Sequence, residues 1–100
     1  MAEPMNLRVV SPQQAVYDGP AASIVVPAWD GRVGILPGHA PMITSLGEGD
    51  LVIDVPGGGS ETFYVADGVL QVEGDRITVL TEYAGEAPPA VARGAGGTTE

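Results

Sequence analysis

The sequence contains no cysteine and no lysine. Without cysteine there is no disulfide, no thiolate nucleophile and no cysteine-based zinc site. Without lysine there is no Schiff-base chemistry, no phosphate-binding P-loop and no residue to carry the modified arm of a carrier domain. A single histidine, His39, excludes a site built from several imidazoles. Aromatic residues make up only 5% of the 100 residues, so a core must come mainly from Val, Ile, Leu and Ala. Positive charge is also scarce: four arginines face thirteen acids, for a formal net charge of −9. Such a surface is repelled by phosphate backbones and anionic headgroups, which argues against nucleic-acid binding and direct membrane binding. No apolar run approaches the ~18 residues of a bilayer span. Met1-Ala2-Glu3-Pro4-Met5 has neither the basic nor the apolar region of a signal peptide. The chain reads as one acidic cytosolic domain.

Glycine and proline, 15 and 9 of them, interrupt the chain too often for helices. Strand-like segments recur instead, at residues 6–10, 14–17, 22–26, 33–36, 42–46, 51–55, 61–66, 69–73 and 76–82. Short strands spaced by about ten residues with turn signals between them indicate an all-β sandwich or barrel. The second half is plainest. Leu51, Ile53 and Val55 alternate with Val52 and Asp54 before the turn Pro56-Gly57-Gly58-Gly59. Phe63 and Val65 follow as core positions, then Asp67-Gly68 is expected to turn the chain again. Leu70 and Val72 lead to a two-residue hairpin at Gly74-Asp75 and on to Ile77 and Val79. From Gly85 the periodicity is lost. Residues 85–100 hold one large aliphatic residue, so 1–84 is expected to be the β-sandwich domain and 85–100 a flexible Gly/Ala/Pro-rich tail.

Most of the thirteen acids are explained without chemistry. Asp18, Asp30, Glu48, Asp50, Asp67 and Asp75 are assigned to turns, and Asp54 and Glu61 to solvent faces of strands. No calcium-loop pattern and no nucleophile elbow is present. No catalytic residue, metal ligand or cofactor site is therefore expected. Two loops stand out for recognition. In Pro37-Gly38-His39-Ala40-Pro41 the prolines stiffen the backbone around His39, and a stiff loop loses little entropy on binding. Trp29-Asp30-Gly31-Arg32 has an Asp-Gly turn signal and displays Trp and Arg, two residue types common at protein interfaces. The alternatives are a plain sandwich corner at His39 and a Trp29 folded back over the core.

The segment Asp30 to Pro41 resembles the most recognisable stretch of the epsilon subunit of F-type ATP synthases, Gly-x-x-Gly-x-x-Pro-Gly-His-x-Pro. Leu7-Arg8-Val9-Val10-Ser11-Pro12 is similar to that family's first strand and turn. Tyr64 to Val72 is similar to its glycine-turn segment, and Ile77-Thr78-Val79-Leu80 to its closing strand. The resemblance covers about residues 5–84 and implies a ten-stranded β-sandwich in the rotating central stalk. It implies a non-catalytic role, joining the gamma subunit to the c-ring, on the cytoplasmic face of a bacterial plasma membrane, with no homo-oligomer. Carried across, Asp30, Gly31 and Arg32 would face the c-ring, and Ser11, His39 and Thr44 would lie near gamma, with Pro37, Gly38 and Pro41 shaping the loop. Many members carry an acid where this chain has Arg32, so an acid in the partner loop, or a hydrogen bond replacing the ion pair, is expected here. Most members also continue into a helical hairpin that inhibits hydrolysis; the Gly/Ala/Pro-rich tail has no helical period, which reads as a short form without that inhibition or ATP sensing. The competing reading is a free-standing β-sandwich that binds protein or glycan, although one Trp, three Tyr and one Phe make a poor sugar platform.

Overall fold

The computed structural model describes residues 4–86, and those residues form eight strands. They are β1 (Met5–Val10), β2 (Ala15–Ala21), β3 (Ser23–Ala28), β4 (Gly31–Ile35), β5 (Met42–Ser45), β6 (Glu48–Asp54), β7 (Ser60–Glu73) and β8 (Arg76–Gly85). No helix occurs among the described residues. Alternation sets the faces, because successive side chains of a strand point to opposite sides. Thus Met5, Leu7 and Val9 of β1 are buried between exposed Asn6 and Arg8, and Leu51 and Ile53 of β6 are buried inward of exposed Asp50 and Asp54.

The strands follow the order β2-β1-β8-β7-β6-β3-β4, with β5 added on β7. Two long strands turn this path into two layers. The first half of β7, Ser60–Ala66, pairs with β6, whereas its second half, Val69–Val72, pairs with β5. Likewise the first half of β8, Arg76–Leu80, carries β1 in parallel, beyond which its C-terminal part pairs only with β7. One layer is therefore β2-β1, the start of β8, the end of β7, and β5. The other is the end of β8, the start of β7, and β6-β3-β4. Counted by halves, β7 and β8 raise the eight continuous strands to the ten segments expected of the sandwich. Met5, Leu7, Val9, Leu70, Val72, Ile77 and Val79 from one layer meet Ile24, Val26, Ile35, Leu51, Ile53 and Val65 from the other in a single core. Each such aliphatic side chain contributes about 1.5–3 kcal/mol on burial.

The expected turn at Asp67-Gly68 is instead the corner of this sandwich. The β7–β8 register is the same from Tyr64↔Gly85 to Glu73↔Arg76, skipping only the Asp67–Glu82 pair at the corner, so the ribbon bends there without reversing. Asp67 takes a left-handed φ of 62°, which a short polar side chain tolerates better than most. Gly68 has no alternative. A Cβ there would run into the Leu80 carbonyl oxygen, with Thr81 Cα at 2.7 Å. Thr81 holds the inner side of the corner: its buried hydroxyl donates to the Asp67 carbonyl at 2.8 Å, with the Ala66 and Tyr83 carbonyls at 3.0 and 2.9 Å. The β5–β6 connection crosses at the same place, where Leu46 N–H donates to Gly68 O at 2.9 Å and Asp67 N–H to Gly47 O at 3.2 Å. The chain passes between layers on both strands at one point.

Other turns follow the sequence. Gly74-Asp75 is a two-residue hairpin loop with a left-handed Gly74, and the Pro56–Gly59 loop joins β6 to β7. Phe63 packs against the core as expected, and Tyr17 meets it edge-on at 6.4 Å between ring centroids. Asp18 and Asp50, assigned to turns, lie within β2 and β6 with exposed side chains. The expected boundary after Ala84 falls one residue short of the end of β8; of the expected tail, residues 87–100 lie outside the described residues.

Two outcomes are expected from this geometry. Gly68→Ala should cost at least about 3 kcal/mol in urea unfolding, because the added carbon cannot avoid backbone atoms. Burial, with the Glu61 carboxylate nearby, raises the Tyr17 hydroxyl above its ordinary pKa of 10.0. The folded state thus favours the protonated phenol, and that contribution is complete below pH 10.0 and lost as pH rises past it. Denaturation at alkaline pH should show a fall in stability there that Tyr17→Phe reduces.

Candidate functional site

The Leu36–His39 segment is built by its own chemistry. Pro37 supplies the fixed φ of the first central position, Gly38 takes φ 87° at the second, and His39 N–H closes the turn on Leu36 O at 3.1 Å. These are the requirements of a type II turn. His39 Nδ1 stands 2.7 Å from the Ala40 carbonyl oxygen. A carbonyl only accepts, so Nδ1 is the donor in this contact. Pro41 then leads into β5, where Thr44 stands opposite Leu70, half-buried, and Ser45 opposite Val69.

Ser11 is the second of the residues assigned to a gamma-facing surface. It is 7% exposed, and its hydroxyl donates to Gln14 O at 3.2 Å while its N–H donates to the same oxygen at 2.9 Å. Its polar groups therefore close the β1–β2 turn. Ser11 lies by the β1–β8 side of the bent ribbon, and Thr44 lies on β5 at its other side.

The β3–β4 hairpin carries the other candidate loop. Ala28 pairs with Gly31, so its two turn residues are Trp29 and Asp30, one position earlier than the Asp30-Gly31 turn expected. Gly31 already belongs to β4. Trp29 does not fold back over the core; 69% of it is exposed. Its N–H donates to Ser45 O at 3.1 Å, which ties the hairpin to β5. Arg32 reaches back across the sheet, and Nη2 donates to the Asp50 carbonyl at 3.0 Å.

An outward-facing apolar row escaped the sequence reading. Register places Val10 beside Leu80, Leu80 opposite Val69, and Val69 opposite Ser45, across β1, β8, β7 and β5. Leu80 and Val69 are 50% and 40% exposed, and Ile43, one diagonal step away, is 71% exposed. The next row is Arg8, Thr78, Gln71 and Ile43, and beyond it stand Asn6, Arg76 and Glu73. Apolar character thus fades with distance from the corner. A groove of about 340 Å³ runs beside the row, lined by Val10, Ser11, Pro12, Gly68, Val69, Leu80, Thr81 and Glu82. The signal was present as apolar doublets, Val9-Val10, Ile43 beside Met42, Val69-Leu70 and Val79-Leu80: one member of each fills the core, so the other must face out.

Among the described residues no three metal-ligating side chains cluster. Exposed apolar side chains gathered in one row, next to stiffened turns, mark a surface for protein contact. The fold defines an all-β sandwich domain. The chain belongs to the family described as ATP synthase, Delta/Epsilon chain, beta-sandwich domain, which it matches over residues 4–87. It is 36% identical over 83 residues to the ATP synthase epsilon chain of Alkalilimnicola ehrlichii, covering 83% of this chain and 59% of that one. It is 40% identical over 79 residues to that of Nitrosomonas eutropha, covering 79% and 56%. The chain thus spans less than two thirds of the length of the curated relatives it matches. A chain in the cryo-EM structure of the Euglena gracilis mitochondrial ATP synthase, OSCP/F1/c-ring in rotational state 1, shares the fold at TM-score 0.79 and 20% identity, over 95% of this chain and 62% of that one. A chain of the Tetrahymena thermophila mitochondrial ATP synthase central stalk and c-ring is similar at TM-score 0.66 and 15% identity, over 83% and 66%.

Turn chemistry at His39 is directly testable. Gly38→Ala meets no neighbouring atom within 4 Å, so its cost is the left-handed backbone alone, about 1–2 kcal/mol. Gly34→Ala, equally uncrowded and without that backbone, should stay within about 0.5 kcal/mol in the same urea titration.

Proposed function

We propose that this chain is a non-catalytic rotor subunit of a proton-translocating F-type ATP synthase. Its sandwich joins the gamma subunit to the c-ring and carries torque between them, and no bond is made or broken in it. The outward row of Val10, Leu80 and Val69 carries this reading. In a chain of net charge −9, an apolar strip across three strands is costly to leave in water, and a partner permanently covering it removes that cost. The family supports gamma as the cover, and names given to the relatives at 36–40% identity support the epsilon assignment.

On this reading the row, with Ser11 beside it, and the segment 37–44 form the gamma side, Thr44 being turned inward with Leu70 rather than into the row. Ser11 and the Pro37-Gly38-His39 turn shape that surface, since their polar groups are engaged within the chain. The Trp29-Asp30 turn, with Gly31 and Arg32, forms the c-ring side. The subunit works at the cytoplasmic face of a bacterial plasma membrane, held there by protein rather than by lipid, and it works without a bound cofactor and as a single copy. Coupling by the sandwich does not itself call for a helical extension.

Leu80→Glu tests the reading. Leu80 is half exposed, so the tagged variant should keep its urea midpoint close to that of the unsubstituted chain. Pull-down from detergent-solubilised membranes of the source cell should recover alpha, beta, gamma and c-ring subunits with the unsubstituted chain. With Leu80→Glu, recovery should fall by an order of magnitude or more, because the carboxylate would be buried unpaired. Equal recovery of the complex by both chains would remove the row from the interface. Recovery of the unsubstituted chain alone would remove the stalk assignment.

A further inference from the structure

Pro27 leaves one hydrogen bond missing from the sheet, and a side chain stands where it would be. β3 lies between β4 and β6, and its register with β6 ends at Val25↔Val52. Continued by two residues, that register would set Pro27 opposite Asp50, but proline has no N–H to donate. The Asp50 carbonyl receives Arg32 Nη2 instead, at 3.0 Å. Arg32 is the partner of Pro27 in the β3–β4 ladder, so its side chain crosses β3 at Pro27, which is buried. Gly49 leaves space for the crossing: a Cβ there would come within 3.3 Å of Pro27 Cβ and 3.9 Å of Arg32 Nη1. Two residues beyond Pro27 the chain enters the Trp29-Asp30 turn, which is tied on its other side by Trp29 N–H to Ser45 O.

We propose that Arg32 is a positioning residue: its guanidinium takes the place of the backbone hydrogen bond that Pro27 cannot make, and so fixes the direction in which the turn presents the Trp29 indole. The use of that turn for docking rests on the function proposed above; the positioning itself is a property of the chain alone. The Asp50 carbonyl then takes one guanidinium N–H, so the orientation of Arg32 does not depend on an acid from the partner. Trp29 becomes the contact residue at the turn, and Arg32 acts through it.

The full chain provides its own probe, since Trp29 is its single tryptophan. Arg32→Ala should speed amide exchange at Trp29 and Gly31 by about fivefold to tenfold, the weight of one net hydrogen bond. It should also lower the fluorescence anisotropy of the indole. Pro27→Val restores an N–H opposite Asp50, and in that background Arg32→Ala should change exchange by less than about twofold. An equal acceleration in both backgrounds, or none in either, overturns the proposal. Should Pro27→Val fail to fold, guanidinium proton exchange in the unsubstituted chain decides. The Arg32 protons should exchange more slowly than those of exposed Arg76, and equal rates overturn the assignment. Failure of the stalk reading shows separately, as an unsubstituted chain that recovers no partner while the Pro27–Arg32 coupling stands.

Discussion

The bend of the β7–β8 ribbon is the constraint on which the rest of the molecule depends. A flat ribbon of that length would leave one sheet with an uncovered apolar face. Bending it at Asp67-Gly68 folds the sheet over itself, so that Leu70, Val72, Ile77 and Val79 meet Leu51, Ile53 and Val65 in one core. The bend is secured from both sides. Gly68 lets the two strands approach where a Cβ would meet the Leu80 carbonyl, and the Thr81 hydroxyl serves the carbonyls that the bend turns inward. Leu46 and Gly47 then take up backbone groups of Gly68 and Asp67 as the β5–β6 connection changes layer at the same corner.

The outward apolar row follows from this corner. Val10, Leu80 and Val69 line up because β1, β8 and β7 keep their register on the first side of the bend. Their inward neighbours belong to the core, so the row is as rigid as the core itself. A rigid surface loses little entropy on association. Charge elsewhere has a complementary effect: thirteen acids against four arginines keep much of the remaining surface hydrated, with Trp29, Leu36 and Ile43 as further exposed apolar side chains outside the row. The one ion pair found among the described residues, Arg8 with Asp18 at 3.8 Å, is exposed on both sides and contributes little.

Both prominent loops work by supplying or replacing backbone geometry. The Pro37-Gly38 turn has its dihedral angles preset by residue type. The Trp29-Asp30 turn is fixed from outside, by Ser45 on one flank and by Arg32 across Pro27 on the other. Arg32 shows how a motif position is refined by its surroundings. By resemblance it is a residue facing the c-ring, whereas in the fold its guanidinium is engaged with the chain's own Asp50 carbonyl.

Local rules reached a long way into this protein. Glycine and proline spacing, alternation and the Gly74-Asp75 and Pro56–Gly59 turns determined an all-β meander and the identity of most core residues, because turn chemistry and period two act over a few residues. The resemblance carried by Gly31 to Pro41 added the family. What local rules could not decide was whether Asp67-Gly68 reverses the chain or bends it, since the same residue types serve a turn and a tight corner; only the pairing of residues far apart in sequence, Gly68 with Thr81 and with Leu46, chose the corner. The same holds for the outward row and for Arg32. Val10, Val69 and Leu80 become one surface, and Arg32 meets Asp50, only when register brings distant strands side by side, and register is a property of the tertiary structure.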